Sequence, residues 1–180
     1  HTSDTYLLGT AMSAILRAKR ISKADLYDDL LRPLWDGLKL SPTLSTTRRS
    51  EDAVAQPFVG WGLTYQPDDI ARLSRWLMQG ADGQLDRRLL DAAMQRAPQG
   101  GGLPAGFPGF RYRAGFWTRD MGAKLGCAGS PWVPAMSGFG GISVAMLPGR
   151  DAHVYSFGDS DHWDWSAAAV ALAGKDAPCG

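Results

Sequence analysis

Gly141-Ile-Ser-Val-Ala-Met-Leu-Pro-Gly-Arg-Asp-Ala-His-Val-Tyr-Ser-Phe157 is the stretch from which the fold is read. Two β-rich runs, 141–147 and 153–157, flank Pro148-Gly149-Arg150-Asp151, a turn sequence that joins them as an antiparallel hairpin. Upstream, 111–118 is a third short run of the same kind, so a meander is predicted. Downstream, 163–173 is an Ala-rich helix, small-sided enough to pack flat on a sheet.

Toward the N-terminus the period becomes helical. Ser3 or Asp4 is placed to cap a first helix, with Leu7, Leu8, Ala11, Ile15 and Leu16 on one face. Ser22 caps a short second helix carrying Leu26, Leu30 and Leu31, which Pro33 is expected to stop. Residues 41–62 are rich in Ser, Thr, Arg and Pro without periodicity, which predicts a long surface loop of the functional or mobile kind. Pro67 opens a third helix with Asp68 and Asp69 at its positive end. Ile70, Leu73, Trp76 and Leu77 form its buried stripe, and Gly80 ends it. A fourth, 86–96, presents Leu89, Leu90, Ala93 and Met94, and 100–109 is a Gly/Pro linker. The order predicts an α+β chain: a mainly helical portion, 1–110, then a β-meander with a closing helix, 111–180.

Composition narrows the function classes. The 180 residues are 44% hydrophobic, enough for a core. A net charge of +1 with interspersed signs leaves no electrostatic footprint for nucleic acid. No apolar run reaches the roughly 20 residues of a membrane span. The three histidines, His1, His153 and His162, lack ligand spacing, so neither a metal nor another cofactor is expected. Cys127 and Cys179 sit in Gly- and Pro-rich contexts; they are read either as a disulfide tethering the C-terminal tail or as two free thiols.

Several segments, in order, carry a resemblance. His1-Thr-Ser-Asp-Thr-Tyr-Leu-Leu-Gly9 is similar to the second active-site motif of a serine-hydrolase family, Tyr-x-[Ser/Asn]-x-x-[Thr/Tyr]-x-[Val/Leu]-Leu-Gly. Thr2 takes the Ser/Asn place, Thr5, Leu7, Leu8 and Gly9 match, and the Tyr would fall one residue before His1. Leu31-Arg32-Pro33-Leu34, Gly60-Trp61-Gly62-Leu63, Asp69-Ile70-Ala71-Arg72-Leu73 and Tyr112 to Trp117 resemble later segments of the same family. Met136-Ser137-Gly138-Phe139-Gly140-Gly141 stands where the family keeps [Lys/His]-x-Gly on an edge strand, and 154–160 resembles the strand that follows. The family is that of the class C β-lactamases and penicillin-binding proteins, and the likeness is strongest to its esterase and nylon-oligomer (6-aminohexanoate-dimer) hydrolase branch.

The resemblance implies the C-terminal half of the β-lactamase/transpeptidase-like fold, an antiparallel sheet flanked by helices. It implies a serine hydrolase that cleaves an ester or amide through an acyl-enzyme. No Ser-x-x-Lys occurs in the 180 residues, so that motif and the catalytic Tyr are expected on a separate N-terminal fragment, the obligatory partner. The backbone N–H of Phe139, just after Gly138, would be one oxyanion donor, and Gly138 would allow close approach of substrate. Ser137 would hydrogen-bond the substrate, while Met136, Trp117, Trp61, Thr2 and His1 would border it. Met136 departs from the family's Lys or His: a thioether supplies neither charge nor donor, which weakens the case for a penicillin-type carboxylate. Gly60 likewise lacks the side-chain amide of the nylon-hydrolase branch. Alternatives are a catalytically degenerate binding module and a true β-lactamase or D-Ala-D-Ala carboxypeptidase. The family and the possible disulfide together imply a bacterial periplasmic or secreted protein. Ser160, Asp161 and His162 are consecutive and cannot form a relay with His between Ser and Asp; a strand-end turn capping the last helix is expected there.

Overall fold

The computed structural model describes residues 2–19, 25–96, 103–104, 106–128, 131–138, 140–148, 150–160 and 164–174. The chain divides into two compact units, His1–Arg72 and Leu73–Gly180.

In the first unit, α1 spans Thr2–Ala18, so Ser3 and Asp4 lie inside its first turn instead of capping it. The expected buried stripe faces outward: Leu7, Leu8 and Ile15 are 66%, 58% and 55% exposed. The buried positions are Gly9 and Ser13. A Cβ on Gly9 would meet Val59 Cγ2 at 3.2 Å, and the Ser13 hydroxyl accepts the Leu26 N–H. Close approach by small residues, not apolar periodicity, therefore sets the rotation of this helix.

Ser22 lies outside the described residues. Pro33 does not stop the next helix. Tyr27–Leu31 widens into a π-turn in which the Arg32 N–H bonds to the Tyr27 carbonyl, and α2, Arg32–Gly37, follows with Pro33 in its first turn. The π-turn directly before it is the local widening that lets the helical run continue through the proline. Segment 41–62 is tied down, not structureless. A 3₁₀ turn, Pro42–Leu44, leads to a bridge between Arg49 and Pro57, and the Phe58 N–H bonds to the Arg48 carbonyl. The buried Tyr27 hydroxyl donates to the Leu44 carbonyl. Arg49 forks to Asp25 and Asp28, each at 2.7 Å. Burial raises the Asp25 pKa, but Arg49 and the Asp28 N–H outweigh it and hold the carboxyl below its ordinary value.

α3, Pro67–Met78, carries the chain from one unit into the other. Asp69 is buried at its start and accepts the N–H groups of Gln66 and Ser41, half of a capping box. Ile70, Trp76 and Leu77 are buried as the pattern required, and Gly80 (φ +95°) follows the helix end. α4, Arg87–Ala93, is capped by Asp86 and buries Leu90 and Met94, whereas Leu89 is exposed.

The second unit holds a six-stranded antiparallel sheet in chain order. Its strands are β1 (Leu103–Pro104), β2 (Phe110–Arg113), β3 (Phe116–Asp120), β4 (Trp132–Ser137), β5 (Ile142–Leu147) and β6 (Ala152–Phe157). The run expected as one strand, 111–118, is two: Ala114 and Gly115, at φ +47° and +90°, form the two-residue turn of a hairpin. The segment expected on an edge strand is interior, because Met136 and Ser137 end β4, between β3 and β5. α5 is the short Gly122–Leu125, and α6 is Trp165–Ala173, capped by Asp164; Asp161 and His162 of the expected capping turn lie outside the described residues. Trp165 and Ala169 of α6 pack on Val133, Ala135, Ala145 and Leu147 of the sheet, with Met121 beside them. Alanine lets the helix lie close, and each buried large side chain contributes about 1.5–3 kcal/mol. None of the described helices is long and apolar enough to cross a membrane.

Replacing Arg49 tests how firmly segment 41–62 is held. Arg49→Leu leaves Asp25 unpaired with only 11% of its side chain exposed. A loss of about 2 kcal/mol in urea denaturation is expected, with a smaller loss for Arg49→Lys.

Candidate functional site

Side chains alternate across a strand, so the register decides which residues can meet. Trp117 pairs with Ala135, Ala135 with Ala145, and Ser137 with Ser143. Trp117, Ala135 and Ser137 therefore share one face, together with Arg119 and its partner Phe110. This is the face that α6 covers, since Ala135 and Ala145 belong to the core against Trp165 and Ala169.

Where that cover ends, the face opens into a cavity of about 390 Å³. Phe107, Phe110, Trp117 and Trp165 wall it, the buried Ala135 lies at its floor, and the exposed Ser137 sits at its rim. Volume and apolar lining with few polar groups suit a small-molecule site. Arg119, the charged residue among the described ones that line it, is already paired. Its Nη1 lies 2.5 Å from Asp164 Oδ1, and its guanidinium is 5.0 Å from the Phe110 ring centre and 5.7 Å from that of Trp165. Asp164 also accepts the Ser166 N–H at the start of α6, and Lys124 Nζ lies 3.5 Å from its other oxygen. Burial disfavours its charge, yet the Ser166 N–H and the Arg119 guanidinium outweigh burial and hold the carboxyl far below the usual range.

Of the residues expected from sequence, Ser137 and Trp117 come together here. Met136, the neighbour of Ser137, pairs with Val144 and points from the opposite face of the sheet. The Gly138 N–H is spent on the Ile142 carbonyl at 2.8 Å, closing the β4–β5 turn, so it is not a free donor. A Cβ on Gly138 would make only an ordinary contact with Ile142 at 3.7 Å. The glycine the backbone requires is Gly141, at φ +77°, where a Cβ would fall 2.2 Å from the Ser160 carbonyl oxygen. Trp61 belongs to the first unit, stacked 5.0 Å from Phe58 under the Arg48 guanidinium. Thr2 is the first residue of α1, while His1 and Phe139 lie outside the described residues.

Among the described residues lining the cavity, none has a side chain that could take a proton from the Ser137 hydroxyl, because Arg119 does not deprotonate in proteins. Among the described residues no cluster of His, Cys, Asp and Glu assembles a metal site. Cys127 is disulfide-bonded, and Cys179 lies outside the described residues. Sequence reasoning missed Phe110, Arg119 and Asp164. Phe110 and Arg119 are a cross-strand pair made visible only by the Ala114–Gly115 turn, and the signal for Asp164 was its position two residues before Ser166.

No protein-family model matches the chain, and no curated protein and no solved structure matches it.

The depressed Asp164 carboxyl contributes stability above its ordinary pKa of 3.8 and loses it as pH falls toward the lower native value. Asp164→Asn retains a helix cap but not the charge. Its melting temperature is expected to lie below the parent's at pH 7, with the gap closing as pH falls below 3.8. A gap constant with pH would contradict the ion pair.

Proposed function

We propose that this chain is the C-terminal part of a serine hydrolase of the class C β-lactamase-like kind. In that reading it supplies the acyl-binding wall, while a separate N-terminal fragment supplies Ser-x-x-Lys and the catalytic Tyr. The serine attacks an ester or amide carbonyl, the leaving group departs with a proton from the Lys/Tyr pair, and water releases the acyl group. The chemistry calls for no metal or organic cofactor.

The observation that carries this reading is the meeting of Ser137 and Trp117 in one aromatic cavity at the end of β4, beside the Gly-rich turn. Uncovered apolar side chains add to it. Leu7, Leu8 and Ile15 on α1, and Tyr155 and Phe157 on the edge strand β6, are all exposed, as expected of surfaces another polypeptide completes. The reading assigns Thr2 and His1 to the border of the substrate and the Phe139 N–H to the oxyanion, and the compartment proposed is periplasmic or secreted.

One competing reading has a specific observation behind it. The thioether of Met136, where the family keeps a Lys or His, favours a non-catalytic relative that keeps the fold as a binding module. A β-lactamase or D-Ala-D-Ala carboxypeptidase is the weaker reading, for want of a cation at Met136.

Purified protein treated with a fluorophosphonate and read by denaturing intact-mass spectrometry separates these. The hydrolase reading expects a co-purifying second polypeptide that gains one adduct, with none on this chain. An unlabelled second polypeptide would favour the binding module. An adduct on this chain would overturn the assignment of the nucleophile elsewhere.

A further inference from the structure

We infer that the cavity between Trp117 and Trp165 is specific for an uncharged, flat apolar group, and that the substrate acyl group is aryl rather than carboxylate-bearing. The aromatic lining is the first reason. Phe107, Phe110, Trp117 and Trp165 line the cavity together with the buried Ala135, so most of what a ligand meets there is aromatic ring. Phe107 is 66% exposed and meets Phe110 edge-on, with ring centres 6.5 Å apart. An exposed aromatic at the mouth of an aromatic cavity gains its cover only when something occupies the cavity.

Charge is the second reason. A cavity that binds carboxylates keeps a free cation, whereas here the wall cation is neutralised by Asp164 at 2.5 Å. An anionic ligand would have to compete with Asp164, which the Ser166 N–H and Lys124 also hold in place. A cationic ligand would meet Arg119, whose guanidinium already lies near the rings of Phe110 and Trp165. An uncharged ring faces neither cost. The exposed hydroxyl of Ser137 at the rim gives such a ring one polar contact, with a carbonyl or hydroxyl substituent. Calling the occupant an acyl group rests on the hydrolase reading; the binding of the ring does not.

The test uses the full chain and three probes of one shape that cannot acylate a serine: 2-naphthol, 2-naphthoate and 2-naphthylmethylammonium. In calorimetric titrations at pH 7, 2-naphthol is expected to bind at one site, with both ions at least about tenfold weaker. Phe107→Ala removes an exposed ring, so the fold is not at stake; it should weaken 2-naphthol by about tenfold. Asp164→Asn frees Arg119, and should strengthen 2-naphthoate by about tenfold while leaving 2-naphthol within about twofold. Absence of 2-naphthol binding, equal or tighter binding of 2-naphthoate by the parent, or indifference to Phe107→Ala would each overturn the inference. A fluorophosphonate result without an adduct would remove only the word acyl.

Discussion

Backbone pairing along β3, β4 and β5 fixes which side chains of the second unit can share a site. Trp117 opposite Ala135, and Ser137 opposite Ser143, put Trp117, Ala135 and Ser137 on the face that α6 covers. A one-residue slip of β4 would move Ala135 and Ser137 to the other face and bring Pro134 and Met136 in their place. Register here is well specified, because one face buries Val133, Ala135, Ala145 and Leu147 against Trp165 and Ala169. The apolar core therefore decides the register, and the register places the cavity.

The cavity's chemistry follows from what the core leaves unfilled. Alanines at 135 and 169 let α6 lie flat on the sheet with Trp165 packed in the same core, and the cavity that remains is lined by Trp165 and Trp117. Arg119 reaches the cap of α6 and closes an ion pair with Asp164, which joins a strand to the first turn of a helix across 45 residues of chain. One carboxylate thus caps the helix, pairs the arginine and removes the free charge from the wall. The same economy appears in the first unit, where Arg49 ties segment 41–62 to Asp25 and Asp28 and also donates to the Ala55 carbonyl within that segment.

Much of this was legible in the sequence, and the failures have physical causes. The stripe of α3, the turn at 148–151 and the Ala-rich α6 depend on local periodicity and turn chemistry, and these were read correctly. Three features were misread because a small or unusual residue outweighed the pattern. Gly9 and Ser13 turned α1 away from its leucine stripe, the π-turn at Tyr27–Leu31 absorbed Pro33, and a positive φ at Ala114, uncommon for a non-glycine residue, turned the chain inside a run read as one strand. Of the candidate site, Trp117 and Ser137 were found, but their shared face was not. The resemblance groups Met136 with them, in the place of the family's Lys or His, but alternation along β4 turns it to the face opposite Ser137. Arg119 and Asp164 carry no local signal of each other, since only the packing of α6 on the sheet brings them together.

The central claim, that Trp117 and Ser137 face one cavity while Met136 faces away, stands or falls with the β3–β4–β5 register. Cross-strand nuclear Overhauser contacts in isotope-labelled protein measure it directly. The account predicts backbone contacts between Trp117 and Ala135 and between Ser137 and Ser143. Contacts of Trp117 with Pro134 or Met136 in place of Ala135 would contradict it, and with it the cavity and the ligand assigned to it.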